Sequence, residues 1–260
     1  MDYKKDSLGN RMKSHEIKGE VYLPEDRPVI LRLDGKAFHT YTKGMVRPFD
    51  ETLSAAMKQT LKFLCEQVSG CRFGYTQSDE ITLILTADVS VSVYGKHYTT
   101  WFNNRLQKII TTAASLCTFE FNRIMYPKTN KIAVFDCRAI SVPDYVEAAN
   151  NVFWRQLDAR RNSVSMFAQA NYTQKQLNGL SCEQMKEKLR EEKGLVWDDQ
   201  IAYQKWGVVC KRDKDNGGWA IDENTPLLKD DWEYIYGEIR TPDKSKLAGI
   251  SGEMVAEQMK

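Results

Sequence analysis

Val29-Ile30-Leu31-Arg32-Leu33-Asp34-Gly35 is a short run of strand formers that stops at an acid and a glycine. Asp50, after Pro48-Phe49, is placed to cap a helix. Leu53, Met57, Leu61, Leu64 and Val68 then recur every three or four residues, and Gly70 marks the stop. Arg72-Phe73-Gly74-Tyr75-Thr76 and Ile81-Thr82-Leu83-Ile84-Leu85 are two further strand-like runs, and Gln77-Ser78-Asp79-Glu80 joins them as a hairpin. A second helical pattern starts near Thr99, with Phe102, Leu106, Ile109, Ala113, Cys117, Phe121 and Ile124 on one face, and Pro127 is expected to end it. Ile132-Ala133-Val134-Phe135 opens a fourth strand that runs to about Val142. Strand, helix, strand, strand, helix, strand predicts an α+β fold, a ferredoxin-like βαββαβ antiparallel sheet with helices. The first three elements make a right-handed crossover, so the third strand lies between the first two and antiparallel to both.

Outside this unit the signals are weaker. Residues 1–28 are polar and read as irregular, with a short helix near 8–12. Residues 145–170 and 182–193 read as helices, residues 206–210 and 232–236 as short strands, and 212–218 as a polar loop. The expected division is a catalytic domain over 1–142 and a helical, short-strand extension over 143–260, whose last stretch, 243–260, carries no functional signal.

The 260 residues carry 37 basic and 35 acidic side chains, a net +2, which excludes a strongly basic nucleic-acid coat. Residues 1–142 are the more basic part, with 20 basic against 15 acidic side chains, as suits a phosphate-rich ligand. No apolar run approaches the roughly 20 residues of a membrane span, and the first residues lack the apolar core of a signal peptide. A cytoplasmic protein with no membrane partner is expected. Six scattered cysteines without a CxxC pair read as reduced core residues, and three distant histidines argue against a zinc centre.

The expected topology has a chemical consequence. Asp34 ends the first strand, and Asp79 and Glu80 sit in the hairpin before the third, so the three fall at one edge of the sheet on adjacent strands. Carboxylates this close repel and are costly to bury. Mg²⁺ resolves that, because it binds one or two carboxylates together with substrate phosphates. Gly35 allows close backbone approach. Lys36-Ala37-Phe38-His39 forms a turn whose N–H groups could cradle a triphosphate, and Arg47 stands ready for terminal phosphates. His39 also reads as an ordinary hydrogen-bonded histidine. Asp136 is expected to lie below this edge and is not counted as a ligand.

Arg32-Leu33-Asp34-Gly35-Lys36-Ala37-Phe38-His39 and Gln77-Ser78-Asp79-Glu80 resemble the signature motifs of the tRNA-His guanylyltransferase family. Phe135-Asp136-Cys137-Arg138 is similar to its Phe-Asp-Gly-Arg strand, and Trp154-Arg155-Gln156-Leu157-Asp158-Ala159 to its Trp-Arg-Gln-x-Asp helix. The motif order covers roughly residues 5–210. The resemblance implies a polymerase-type palm that adds nucleotides in the 3′-to-5′ direction at the 5′ end of a tRNA, with ATP and GTP or another NTP as substrates. It implies two Mg²⁺ ions held by Asp34, Asp79 and the Gly35 carbonyl, with Glu80 supporting Asp79. Lys36, Ala37, Phe38, His39 and Ser78 would contact the triphosphate and Arg47 its phosphates, and the assembly would be a homotetramer. Where the eukaryotic branch has His-Ile-Asn-Asn, this chain has Arg160-Arg161-Asn162-Ser163, which makes it most like the bacterial-type branch that repairs truncated tRNAs.

Arg138, Arg155, Arg160, Arg161 and Asn162 are the candidate tRNA contacts. An ion pair with Asp136 on the same strand face competes for Arg138, and a solvated helix face competes for Arg160 and Arg161. Trp154, Trp197, Trp206, Trp219 and Trp232 could stack on bases, but most lack a basic context, and core packing is the expectation for them. Two rivals remain: a palm-type nucleotide cyclase, disfavoured because the Gly-Gly-Asp-Glu-Phe type of hairpin is absent, and a non-catalytic tRNA-binding module.

Overall fold

The computed structural model describes residues 7–92, 95–213, 215–228, 231 and 233–239. In chain order the elements are α1 (Ser7–Lys18), β1 (Val29–Gly35), α2 (Phe38–Tyr41), α3 (Glu51–Gln67), β2 (Cys71–Gln77), β3 (Glu80–Leu85), β4 (Asp88–Ser92) and β5 (Gly95–Thr99). They continue with α4 (Leu106–Thr129), β6 (Phe135–Ser141), α5 (Tyr145–Gln169), α6 (Gln174–Leu177), α7 (Cys182–Lys193), α8 (Ala202–Trp206), β7 (Val208–Arg212), β8 (Trp219–Asp222) and α9 (Glu233–Ile239).

The main sheet has the order β6-β1-β3-β2-β7-β8, and every neighbouring pair is antiparallel. β3 lies between β1 and β2, as the crossover argument requires. Side chains alternate between the two faces. Leu31, Leu33, Ile81, Leu83 and Leu85 face α3 and α4, packing on Leu61, Leu64, Ile109, Cys117 and Phe121. Phe73, Tyr75 and Ile84 face the other way and are covered by Ala148, Ala149, Val152 and Phe153 of α5. Each large aliphatic side chain buried this way contributes about 1.5–3 kcal/mol. The C-terminal half of α5 makes a smaller core with Leu177, Leu189 and Trp197. Asp50 caps α3, its carboxylate accepting from the N–H groups of Thr52 and Leu53 at 3.0 Å each.

Several expectations need correction. α4 begins at Leu106, not near Thr99, because β5 and a 3₁₀ turn over Trp101–Asn104 precede it. Pro127 does not end α4, which runs to Thr129 with the left-handed Asn130 (φ 51°) as its cap; only the last turn lies beyond the missing N–H. The fourth strand starts at Phe135, not at residue 132. The Asn122 side chain binds both the N–H and the carbonyl of Ala133, at 2.8 and 2.7 Å, and holds that segment out of the ladder. The strand expected over 232–236 is helical from Glu233, since Ile235, Tyr236 and Ile239 need one buried face; Trp232 and residues 243–260 lie outside the described residues. To the expected strands the structure adds the hairpin β4–β5 and the strand β8. All six cysteines are free, with Cys65, Cys71, Cys117 and Cys210 buried. No described helix is long and apolar enough to cross a membrane.

Candidate active site

β1 ends, and the β2–β3 turn lies, at the same rim of the sheet. Asp34 is the Cα partner of Glu80, and the Gly35 N–H donates to the Asp79 carbonyl at 3.2 Å. The two aspartates are therefore fixed side by side by the ladder. The Ser78 hydroxyl donates to the Asp79 carboxylate at 3.0 Å, and Ser78 itself takes a left-handed φ of 51°. Ala37, at the start of α2, does the same at φ 53°. Such geometry costs about 1–2 kcal/mol for a residue other than glycine, and it occurs in both turns that frame the site.

Burial pushes the Asp79 carboxyl up, its hydrogen bonds from Ser78 and from its own N–H pull it back, and Asp34 pushes it up again. No cationic side chain among the described residues lies within ion-pair distance of Asp34 or Asp79. Glu80 is different. It is buried, and its carboxylate accepts from Arg155 Nε at 2.6 Å. Arg155 also reaches Asp158 at 2.6 Å, and Asp158 in turn accepts from Arg161. Burial raises the Glu80 carboxyl while the Arg155 and Arg32 charges oppose the rise. Asp34 and Asp79 are thus left as the unneutralised pair. Two neighbouring carboxylates without a countercharge offer the hard oxygen donors that fit Mg²⁺, which takes its remaining ligands from water and phosphate.

Beside Asp79 is a cavity of about 340 Å³ lined by residues that include Phe38, His39, Arg47, Asp50 and Ser78. A pocket of that volume is in the range that accepts a small ligand. A smaller space of about 100 Å³, lined in part by Gln77, Asn162 and Tyr203, shares Asp50 and Ser78 with it as wall residues. The Lys36 N–H is taken by the Val134 carbonyl at 2.8 Å, whereas the N–H groups of Ala37, Phe38 and His39 precede the first intrahelical bond of α2 and have no intrahelical partner. The Phe38 ring is buried against Tyr41, Phe121 and Phe135, so only its backbone is available to a phosphate. His39 is exposed, with its Nε2 3.1 Å from the Thr40 hydroxyl.

The Phe38 ring occupies the space a Cβ on Gly35 would need, the nearest ring carbon being 2.2 Å away. Gly35→Ala is therefore expected to cost about 1–3 kcal/mol through overpacking and to weaken nucleotide binding by shifting α2. Urea denaturation and an NTP titration measure the two effects. A variant with unchanged stability and binding would contradict this packing.

The other candidates are placed unevenly. Arg155 is not a free RNA contact: it is buried, and its guanidinium is engaged by Glu80 and Asp158. Arg160 pairs with Glu183 at 2.5 Å, and Asn162 Nδ2 lies 3.5 Å from Gln77 Oε1. Arg138 is exposed, 3.9 Å from Asp136. Asp136 is not below the edge. It is the Cα partner of Asp34, so Asp136, Asp34 and Glu80 form one row across three strands. Counting back along β6 from a start at Phe135 would have shown this; the early strand start hid it. Burial pushes the Cys137 thiol up to about 12, with Asp136 adding to the rise, which keeps it protonated at neutral pH.

Residues 9–143 match the family model described as tRNAHis guanylyltransferase. The chain is 30% identical over 226 residues to an uncharacterised protein of Acanthamoeba polyphaga mimivirus, covering 79% of this chain and 77% of that one. It is 23% identical over 220 residues to the tRNA(His) guanylyltransferase of Debaryomyces hansenii, covering 77% and 79%. A solved bacterial tRNA(His) guanylyltransferase-like protein in complex with ATP superposes with a TM-score of 0.83 at 40% identity, covering 90% of this chain and 100% of that one. A bacterial tRNA(His) guanylyltransferase-like protein in complex with GTP gives 0.74 at 36%, covering 91% and 100%. Both share the antiparallel sheet and helices described above. The chain belongs to the tRNA-His guanylyltransferase family.

Proposed function

We propose that the protein is a nucleotidyltransferase that adds GTP or other NTPs to the 5′ end of tRNA in the 3′-to-5′ direction, as a template-dependent repair enzyme. The observation that carries this reading is the unneutralised Asp34–Asp79 pair beside a cavity lined by Ser78, His39 and Arg47. The cyclase and non-catalytic readings are not favoured, since family members have guanylyltransferase names and two were solved with a nucleoside triphosphate.

In the first step an oxygen of the RNA 5′-monophosphate attacks the α-phosphorus of ATP, and pyrophosphate leaves with the bonding pair. In the second, the 3′-hydroxyl of an NTP loses its proton and attacks the activated 5′-phosphorus, and AMP leaves. Asp34, Asp79 and the Gly35 carbonyl would hold two Mg²⁺ ions, which when bound neutralise phosphate charge and favour the deprotonated attacking hydroxyl. The backbone N–H groups of residues 37–39 and the Arg47 guanidinium bind and orient phosphate oxygens, and the Ser78 hydroxyl, donating to Asp79, holds that carboxylate beside them. Arg155 holds Glu80 inward and so fixes the hairpin that carries Asp79.

The repair reading rests on residues 160–163. Arg160 pairs with Glu183, Arg161 with Asp158, Asn162 lies against Gln77, and the Ser163 hydroxyl accepts from Trp197 Nε1 at 3.0 Å. All four side chains have partners within the chain, at the position where the eukaryotic branch has His-Ile-Asn-Asn. Incorporation of each of the four α-labelled NTPs into full-length and 5′-truncated tRNAs, with ATP and Mg²⁺, tests this. The expected result is template-matched addition to truncated tRNAs of several identities. Addition of G alone, and only to tRNA-His, would contradict the repair reading.

A further inference from the structure

Trp154 does not sit where the core needs a tryptophan. Trp197 and Trp219 are buried, whereas Trp154 on α5 is 51% exposed. Its neighbours in sequence, Phe153 and Arg155, are both buried, while Asn150, Asn151, Leu157 and Asp158, one turn away on its own face, are half-buried. The Arg155 guanidinium lies 4.4 Å from the Trp154 ring centroid and is itself immobilised by Glu80 and Asp158. The Arg32 guanidinium is 5.9 Å from the same centroid. Arg32 is the Cα partner of Arg138 on β6, and Arg138 is exposed. Asp34 follows two residues after Arg32 on the same face of β1, about 7 Å along the strand. An indole bordered by two guanidinium groups therefore stands within reach of one nucleotide from the carboxylates at the end of β1.

We propose that Trp154, backed by Arg155 and flanked by Arg32 and Arg138, is a stacking platform for a base of the RNA end on which the enzyme acts. The assignment rests on the reading of the chain as an enzyme acting on RNA. Every base has a π-face, so such a platform tolerates any sequence, as an enzyme that repairs several RNAs requires. The guanidinium groups attract the adjoining phosphates. A protein partner is the poorer occupant, because the groups seen against the ring are the cations Arg155 and Arg32.

Trp154→Ala, Trp154→Phe and Trp154→Leu in the full chain test it. Equilibrium binding of a 5′-monophosphorylated tRNA transcript is read by fluorescence anisotropy, alongside KM and kcat of addition and the thermal midpoint. Stacking on an aromatic side chain predicts that the Ala and Leu variants bind RNA roughly 5- to 100-fold more weakly. KM for RNA rises in step, KM for NTP and the thermal midpoint stay as in wild type, and Phe recovers most of the loss. Arg138→Gln should lower the salt slope of binding by about one. Wild-type RNA affinity in Trp154→Ala overturns the proposal, and so does equal rescue by Leu and Phe, which would mean packing. A change in sedimentation with no change in RNA binding also overturns it, and would assign the indole to a contact between copies. Because binding is read without turnover, a Trp154-dependent affinity in a protein that adds no nucleotide supports the platform and counts against the enzymatic reading.

Discussion

Asp79→Asn is expected to lower nucleotide addition by at least about 10²–10³-fold, the scale seen when one group that stabilises a transition state is removed, while leaving the fold at least as stable. Asp34→Asn should lose activity to a similar degree. The stability half of the claim follows from the raised Asp79 carboxyl. A carboxyl that binds its proton more tightly in the folded chain than in the unfolded one costs stability when charged, and the cost disappears as pH falls through the raised pKa. The Asn side chain keeps the acceptor for Ser78 and removes the charge. Its thermal midpoint should therefore exceed wild type at neutral pH, and the difference should shrink on acidification. Added Mg²⁺ should raise the wild-type midpoint by binding the folded state, and Asp79→Asn should lose that response. Near-wild-type addition by either Asn variant would remove the metal assignment. A lower midpoint in Asp79→Asn would mean that the carboxylate is satisfied in some other way.

Arg155→Met is the second large effect. It leaves Glu80 and Asp158 without their shared cation in a buried position, and breaking such a pair from one side costs about 3–5 kcal/mol. Glu80→Gln with Arg155→Met removes two charges together and should recover a substantial part, because the burial penalty of Glu80 goes with its charge. Addition should fall in Arg155→Met beyond what the lost stability explains, since the β2–β3 hairpin loses the anchor that sets Asp79. Chemical denaturation of the two single variants and the double gives the coupling directly. A loss under about 1 kcal/mol in Arg155→Met would show that this pair is not holding the hairpin.

Much of this was legible in the chain because the information is local. The β1, β2 and β3 runs are strand-forming segments of six or seven residues, and α3 carries its cap at Asp50 and its stop at Gly70. Once the crossover rule fixes β3 between β1 and β2, Asp34 and Asp79 must come together although 45 residues separate them. The missed features are those set by tertiary contacts. Glu80 and Arg155 are 75 residues apart, and no pattern in either segment says that α5 will lay a guanidinium on the sheet. The motif containing Arg155 suggested function, but only burial separated a structural cation from an RNA contact. Trp154, its neighbour, went the other way, from expected core to open surface. The aromatic stretch ending at Tyr236 favours strand on local preference, yet Ile235 and Ile239 are spaced for a helix and find their core beside α5. Asp136 was misplaced by a strand boundary drawn three residues early, which is enough to move a side chain along the ladder and to the opposite face.

The most direct test of the central claim follows the phosphate that joins the new nucleotide to the RNA. A truncated tRNA carrying a radiolabelled 5′-monophosphate is incubated with the protein, ATP, NTPs and Mg²⁺, then treated with phosphatase. Addition at the 5′ end places the labelled phosphate in a 3′–5′ phosphodiester, so the account predicts phosphatase-resistant label that nuclease digestion recovers joined to the added nucleotide and not as an adenylylated end in wild type, and label that is removed in the Asp34→Asn and Asp79→Asn reactions. Label that stays phosphatase-sensitive in wild type, or protection that survives loss of either carboxylate, would contradict it.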